Sequence, residues 1–218
     1  MCFCAAASFV TAAVTGALGV VALIRTTHWR EAPLAAMPLL FGLQQGVEGL
    51  LWLTLSSHPQ GAAAQGLALT FLIAAELFWP IYAPITLLLL EPDAKRRRWM
   101  LPWLGLGVLV SAYLLRGLLL GPHGAHIVNG HVVYLIAEAH PNAIALAYEA
   151  AVMTPFLLST HKTIKALGVV VMVGCAATYA FYTIAFISVW CFFAATASAL
   201  IVGHFEWMRW RGRDPLAA

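Results

Sequence analysis

Long apolar stretches alternate with short polar ones along the whole chain. Each apolar stretch has roughly 17–25 residues, the length that an α-helix needs to cross a hydrocarbon core of about 30 Å. Polar breaks such as residues 56–61 (SSHPQG) and 91–98 (EPDAKRRR) separate the stretches. The pattern predicts an all-α fold, a seven-transmembrane helix bundle. We place its spans at about residues 5–25, 34–56, 64–90, 99–120, 142–160, 163–184 and 187–206.

Composition supports this interpretation. Of the 218 residues, 62% are hydrophobic and only 10% are charged, whereas a soluble domain carries roughly 25% charged residues. No linker or second kind of composition interrupts the pattern, so residues 1–218 are predicted to form a single integral membrane domain. The first residues lack a basic region and a small-residue cleavage site, and we expect them to begin a retained helix rather than a signal peptide.

The basic residues predict an orientation. Eleven of the twelve lysines and arginines fall in alternate loops on one side of the predicted bundle, and only Arg116 lies toward the other side. Because cytoplasmic loops carry the excess of basic residues, we expect the N-terminus outside and the C-terminus in the cytoplasm. The lipid bilayer is therefore the expected partner. No nucleic acid is expected, because the basic residues lie in short loops without a recognition motif.

Three glutamates, Glu48, Glu76 and Glu149, lie near the middle of predicted spans. At 1.5 Å per residue, each is within about 5 Å of the midpoint of its span. A carboxylate in hydrocarbon costs several kcal/mol, so such residues usually face an interior cavity and are functional. Pro80 lies four residues after Glu76 and frees the backbone carbonyl of that residue, which predicts a kink there. We predict that the three glutamates form one buried catalytic site.

Neighbouring residues extend this site. Gln44 and Gln45 lie one helical turn before Glu48, and Trp52 lies one turn after it. These three residues, together with Tyr148 and Arg116, are the predicted substrate-binding side chains. Such a site could bind a cation, relay protons, or act as general acid and base. The alternative is that the glutamates are protonated and hydrogen-bonded, and serve only to fix helix packing.

The outer loop at residues 121–142 contains four of the eight histidines. Imidazole and carboxylate groups suit zinc, iron or copper. The β-branched residues around Asn129-Gly130 predict a short hairpin, a flap over an outward-opening cavity. The alternative is an ordinary polar loop. The cysteines on this side could form a disulfide, bind metal or remain free thiols. The candidate metal ligands are Glu48, Glu149, Glu138, His140, Cys2 and Cys191.

Three segments resemble a known family: the opening MCFCAAASF, PLLFGLQQGVEGLLW at residues 38–52, and SVWCFFAA at residues 188–195. They are similar to bacterial multi-pass membrane proteins whose members begin Met-Cys-Phe-Ser-Ala and have no assigned function. The resemblance runs through most of the chain. It implies a bacterial inner membrane, and it implies that Gln44, Gln45, Glu48 and Cys191 belong to the family pattern. Cys4 stands where that family has serine, which argues against a two-cysteine metal site at the N-terminus.

Three functions remain open from the sequence. The first is a membrane enzyme, metal-dependent or not, with a carboxylate site that opens to the outer face and acts on a lipid-like or small amphipathic substrate. The second is a proton- or cation-coupled transporter that uses the same glutamates. The third is a sensor whose outer loop binds a metal or a small molecule. The histidine-bearing loop and the absence of a visible internal repeat favour the enzyme.

Overall fold

The computed structural model describes residues 4–136 and 142–210. Within these ranges the chain is helical apart from one β-hairpin. The helices are α1 (Ala5–Arg25), α2 (Ala32–Ser57), α3 (Ala62–Leu72), α4 (Trp79–Leu90), α5 (Ala94–Leu120), α6 (Asn142–Leu158), α7 (Lys162–Phe181) and α8 (Phe186–Trp210).

Two short segments modify this order. A π-helical turn, Ile73–Phe78, joins α3 and α4 into one rod over Ala62–Leu90, and a 3₁₀ turn, Thr183–Ala185, leads into α8. Among the described residues, six helices are long and apolar enough to cross a membrane by length and composition, counting the rod as one helix, whereas α6 is shorter, with 17 residues. The all-helical, membrane-type character that the sequence predicts is therefore confirmed.

The boundary between the last two helices differs from the prediction. We expected the break at residues 184–187, but α7 ends at Phe181 and the backbone of Tyr182 leaves the helical region at φ −133° and ψ 39°. No proline, glycine or charged residue marks this point in the sequence. Because the apolar run continues across the break, hydropathy could not locate it.

Helices α1 and α2 pack closely through small residues. A Cβ atom at Gly42 would lie 2.9 Å from the carbonyl oxygen of Ala12, and one at Gly19 would lie 2.3 Å from the backbone nitrogen of Leu39. Small residues at such positions let helix backbones approach within a membrane. This contact holds α1 on the outside of the bundle, where it packs against α2 and α8.

Most of the core among the described residues forms two apolar layers with polar side chains between them, and a small third cluster contains Ala185 and Val189. On α2, Met37 belongs to one layer and Leu51 to the other, and Gln44, Gln45 and Glu48 lie between them. The rod over Ala62–Leu90 repeats this order, with Glu76 between Phe71 and Leu87. The polar side chains therefore lie far from both ends of the bundle, as the depth of the glutamates predicts.

The predicted hairpin is present. Strands β1 (His123–Val128) and β2 (His131–Ile136) pair in antiparallel register around Asn129 and Gly130, whose φ angles are 49° and 75°. Positive φ at both central residues is the signature of a type I′ turn. Val132 and Tyr134 are buried, and the Tyr134 ring stacks on Phe71 at 4.6 Å. The hairpin therefore covers one end of the apolar layer that contains Leu51 and Phe71.

Candidate functional site

The π-helical turn carries Glu76 and has a clear sequence cause. Pro80 has no backbone N–H, so the regular helical hydrogen bond to the carbonyl of Glu76 is not made. The backbone N–H of Trp79 reaches back to the carbonyl oxygen of Ala74, which is the wider spacing of a π turn. Single π turns within α-helices occur frequently at functional sites. Glu76, at 8% exposure, is buried within this turn.

Side chains from two neighbouring helices bind the carbonyl groups of the π turn. The Tyr148 hydroxyl of α6 donates to the Ala75 carbonyl oxygen at 2.6 Å, and the Ser111 hydroxyl of α5 donates to that of Leu77 at 3.0 Å. Just beyond the turn, Gly107 of α5 packs closely on α4, where a Cβ atom would lie 1.9 Å from the Pro80 carbonyl oxygen. These contacts hold the turn in register with α5 and α6.

Glu149 follows Tyr148 and is the acidic neighbour of Glu76. Its Oε2 atom is buried and has no hydrogen-bond partner among the described residues. The Cys175 side chain of α7 lies against the carboxyl group of Glu149. Glu76 and Glu149 therefore lie close enough to interact electrostatically, and the Cys175 thiol lies beside Glu149. We call Glu76 and Glu149 the carboxyl pair.

Glu48 lies in a different set of contacts. Its Oε2 atom accepts a hydrogen bond from Gln45 Nε2 at 3.3 Å, and its Oε1 atom accepts one from the Tyr134 hydroxyl at 3.4 Å. The buried Ser188 hydroxyl lies beside Glu48, but in a geometry too poor for a hydrogen bond. Burial, together with the nearby Glu48, raises the pKa of the Tyr134 phenol well above its usual value, so that phenol remains a donor.

Gln44 connects the two sets of contacts. Its Oε1 atom accepts a hydrogen bond from Trp79 Nε1 at 2.7 Å, and its Nε2 atom donates to Cys191 Sγ at 3.3 Å. Cys191 lies near the phenols of both Tyr134 and Tyr148. The Gln44–Cys191 contact therefore lies between the contacts of Glu48 and the carboxyl pair.

A narrow cavity of about 60 Å³ lies beside this polar layer. Its wall is apolar, with Tyr148, Cys191 and Ser198 as the main polar points. The cavity runs along α2 past Met37 and Phe41, whereas the hairpin contacts α2 at Glu48. It therefore lies on the opposite side of the polar layer from the hairpin. The opening of the site to the outer face remains a prediction.

The chain as a whole can be compared with known proteins. A model of a family of unknown function, DUF6629, matches residues 1–217. The chain belongs to this family. The match confirms the resemblance to an uncharacterised family. No curated protein and no solved structure matches the chain. Membership of DUF6629 therefore does not indicate which activity the site has.

Several predicted site residues of this DUF6629 member lie near one another, and others do not. Gln44, Gln45 and Tyr148 belong to the contacts described above, and Trp52 is buried in the same apolar cluster as Tyr134 and Cys191. Arg116 is exposed on α5, outside these contacts. Three predicted metal ligands, Cys2, Glu138 and His140, lie outside the described residues.

The described residues include no group of three or more histidine, cysteine, aspartate or glutamate side chains that could hold a metal. The hairpin register explains part of this result, because paired residues share a face of the ribbon. His123 lies on the face of Tyr134, whereas His126 and His131 lie on the other face. The zinc, iron or copper site remains a prediction.

Some residues of the site were missed by the sequence analysis. Ser111 donates to the π turn and Trp79 donates to Gln44. Neither side chain is charged, so neither is conspicuous in an apolar helix. Tyr134 lies in the predicted hairpin, but nothing in the sequence indicates its contact with Glu48, which is 86 residues away. A prediction of the π turn from Pro80 would have indicated that nearby carbonyl groups need donors.

Proposed function

We propose that this DUF6629 member is an integral membrane enzyme that uses the carboxyl pair for acid–base chemistry on a small amphipathic or lipid-like substrate. In this proposal seven spans cross a bacterial inner membrane, with the rod formed by α3 and α4 counted as one span. The N-terminus lies outside and the C-terminus lies in the cytoplasm. At 1.5 Å per residue the 17 residues of α6 extend about 25 Å, which is near the lower limit for a span. The placement of the basic residues supports the orientation.

The proposal depends most on the buried Oε2 atom of Glu149. A buried polar atom without a partner costs about 1–3 kcal/mol, and such atoms are kept where function requires them. We propose that apolar surroundings disfavour the state in which both carboxyl groups carry charge, and that Glu76 and Glu149 share one proton. One carboxylic acid beside one carboxylate is the arrangement that general acid–base catalysis needs.

The cavity supplies a place for the substrate. Its aromatic and aliphatic wall suits an acyl chain or another apolar group, and Tyr148 connects that wall to the carboxyl pair. In the proposed reaction, the substrate places a polar group near Tyr148, and the carboxyl pair removes one proton and returns one. Tyr148 orients the pair through its bond to Ala75, and the apolar wall excludes water.

The experiment compares the wild-type protein with Glu76→Gln, Glu149→Gln and the control Glu48→Gln. Each purified protein is incubated with a lipid and small-molecule extract of bacterial membranes, and products are followed over time by mass spectrometry. We expect products that form with the wild type and with Glu48→Gln, and that fall at least about 100-fold with either pair variant. Equal product formation by all four proteins would contradict the proposal. Elemental analysis of the same samples tests for zinc, iron and copper.

A proton-coupled transporter is the second candidate. One specific observation favours it: the hairpin covers the polar layer on one side while the cavity lies on the other side. A transporter whose central site is closed to one side of the membrane would have this arrangement. The test is proton uptake into proteoliposomes under an imposed potential. A flux that disappears with Glu149→Gln, without any product in the extract assay, would favour this candidate over the enzyme.

A further inference from the structure

A second concave site lies at the basic end of the bundle, far from the hairpin. It is a groove of about 380 Å³ between the α1–α2 turn, the end of α4 and the first turns of α5. Arg30, Arg97 and Arg98 contribute to its lining, together with Trp29 and leucine side chains. Neither the carboxyl pair nor the substrate cavity shares a lining residue with it. We call it the arginine groove.

The positive charge of this groove is not neutralised by the described residues. None of the three arginines has a carboxylate within 4 Å in the described ranges. The nearby acidic residues bind other donors. The carboxylate of Glu31 accepts from the backbone N–H of Thr27 at 2.8 Å, and that of Asp93 accepts from the N–H of Arg96 at 2.7 Å.

Glu91 is also occupied, because it accepts from the backbone N–H of Thr160 at 2.7 Å and from the Thr160 hydroxyl. Arg96 points elsewhere and donates to the Leu158 carbonyl oxygen at 2.8 Å. The acids of these loops therefore stabilise the turns, and within the described ranges the groove has an excess of positive charge.

The rest of the groove wall is apolar and continues onto an exposed apolar surface. Leu88 and Leu101 line the groove, and Leu101 is 53% exposed on α5. Trp29 is 68% exposed at the rim, a typical position for tryptophan at a membrane–water interface. Guanidinium groups bind phosphate in bidentate fashion, and leucine side chains suit an acyl chain. A groove lined by both arginine and leucine side chains therefore suits a ligand that has an anionic group and an apolar chain.

We propose that the arginine groove binds an anionic phospholipid, with the lipid phosphate at Arg97, Arg98 and Arg30 and the first part of an acyl chain along Leu88 and Leu101. The proposal shares with the proposed function the assignment of this end of the bundle to the cytoplasmic leaflet. It requires no activity of the carboxyl pair. Basic pockets between helices on the cytoplasmic side are typical sites for anionic head groups.

The test is native mass spectrometry of the full chain in mild detergent, titrated with phosphatidylglycerol or with phosphatidylcholine of the same acyl chains. The groove variant is Arg97→Gln/Arg98→Gln. The matched control is Lys162→Gln/Lys165→Gln, which removes the same charge from the same predicted side outside the groove. We expect phosphatidylglycerol binding to weaken about tenfold or more in the groove variant and less than about twofold in the control.

Further arms decide between lipid binding and simpler explanations. Arg97→Lys/Arg98→Lys keeps the charge and the fold, and we expect an intermediate loss because the bidentate geometry is removed. Equal loss in the groove variant and the control, or equal binding of phosphatidylcholine, would overturn the proposal. Competition by millimolar inorganic phosphate or glycerol phosphate would also overturn it, because the site would then bind a soluble anion. Glu149→Gln should bind the lipid like the wild type, which separates this result from the fate of the proposed enzyme.

Discussion

Glu48 and Glu149 are both acids on apolar helices, but their surroundings differ. The carboxyl group of Glu48 accepts hydrogen bonds from Gln45 and from Tyr134 of the hairpin. Glu149 has a buried oxygen without a hydrogen-bond partner in the described part of the chain, and an acidic neighbour, Glu76. A satisfied buried acid stabilises the fold, whereas an unsatisfied acid beside another acid costs stability. The comparison therefore agrees with the proposal that Glu48 stabilises the fold and that the carboxyl pair carries the chemistry.

The largest expected effect is a difference in stability between variants of Glu48 and variants of Glu149. Glu48→Leu leaves the Gln45 amide and the Tyr134 hydroxyl as buried donors without acceptors, and we expect a loss of about 2–4 kcal/mol. Glu149→Leu removes an unpaired polar atom, and we expect a change within about 1 kcal/mol. The free energy of unfolding is measured by titration with a denaturing detergent in micelles. Similar losses for both variants would remove the distinction.

The next prediction concerns the π turn that holds Glu76. In Gly107→Ala the new Cβ atom would lie 1.9 Å from the Pro80 carbonyl oxygen, a backbone atom, so α5 and the rod must separate. We expect a loss of about 1–3 kcal/mol. Gly105→Ala is the control, because no atom lies within 4 Å of its new Cβ. A Gly107→Ala protein that is as stable as the wild type, and that binds protons as the wild type does, would show that the π turn does not depend on this contact.

Two hydrogen bonds to the π turn provide a finer comparison. Tyr148→Phe and Ser111→Ala each remove one donor to a carbonyl group of the turn, and each should cost about 1 kcal/mol. Only Tyr148 also borders the cavity and the carboxyl pair. We therefore expect Tyr148→Phe alone to impair product formation or proton uptake. Equal impairment by Ser111→Ala would assign both effects to stability.

The smallest expected effect is a pH dependence at the turn between α6 and α7. Burial lowers the pKa of His161 below its usual value, while Glu91 opposes the shift and the His204 ring packs against it. The unfolded chain then binds a proton that the folded chain does not. Stability should fall as the pH drops below about 6.5. Thermal unfolding of His161→Gln should show a weaker fall, and an unchanged slope would contradict this assignment.

Several features were predictable because they depend on the local sequence alone. The bounds of α1 match the prediction, and the hairpin follows from Asn129-Gly130. The depth of the glutamates follows from residue counting. Their rotation about each helix axis does not, because it depends on packing between distant segments. The sequence therefore predicts a shared site for the three glutamates, but it does not predict the contact between Glu48 and Tyr134.

The most direct test of the account is an infrared titration of the carboxyl stretching bands in the wild type, Glu149→Gln and Glu48→Gln. If Glu76 and Glu149 share a proton, removal of Glu149 changes the titration midpoint of the remaining Glu76 band by about one pH unit or more. Glu48→Gln should leave that midpoint unchanged. A midpoint that is the same in the wild type and Glu149→Gln, or that moves equally in Glu48→Gln, would show that no coupled carboxyl pair exists.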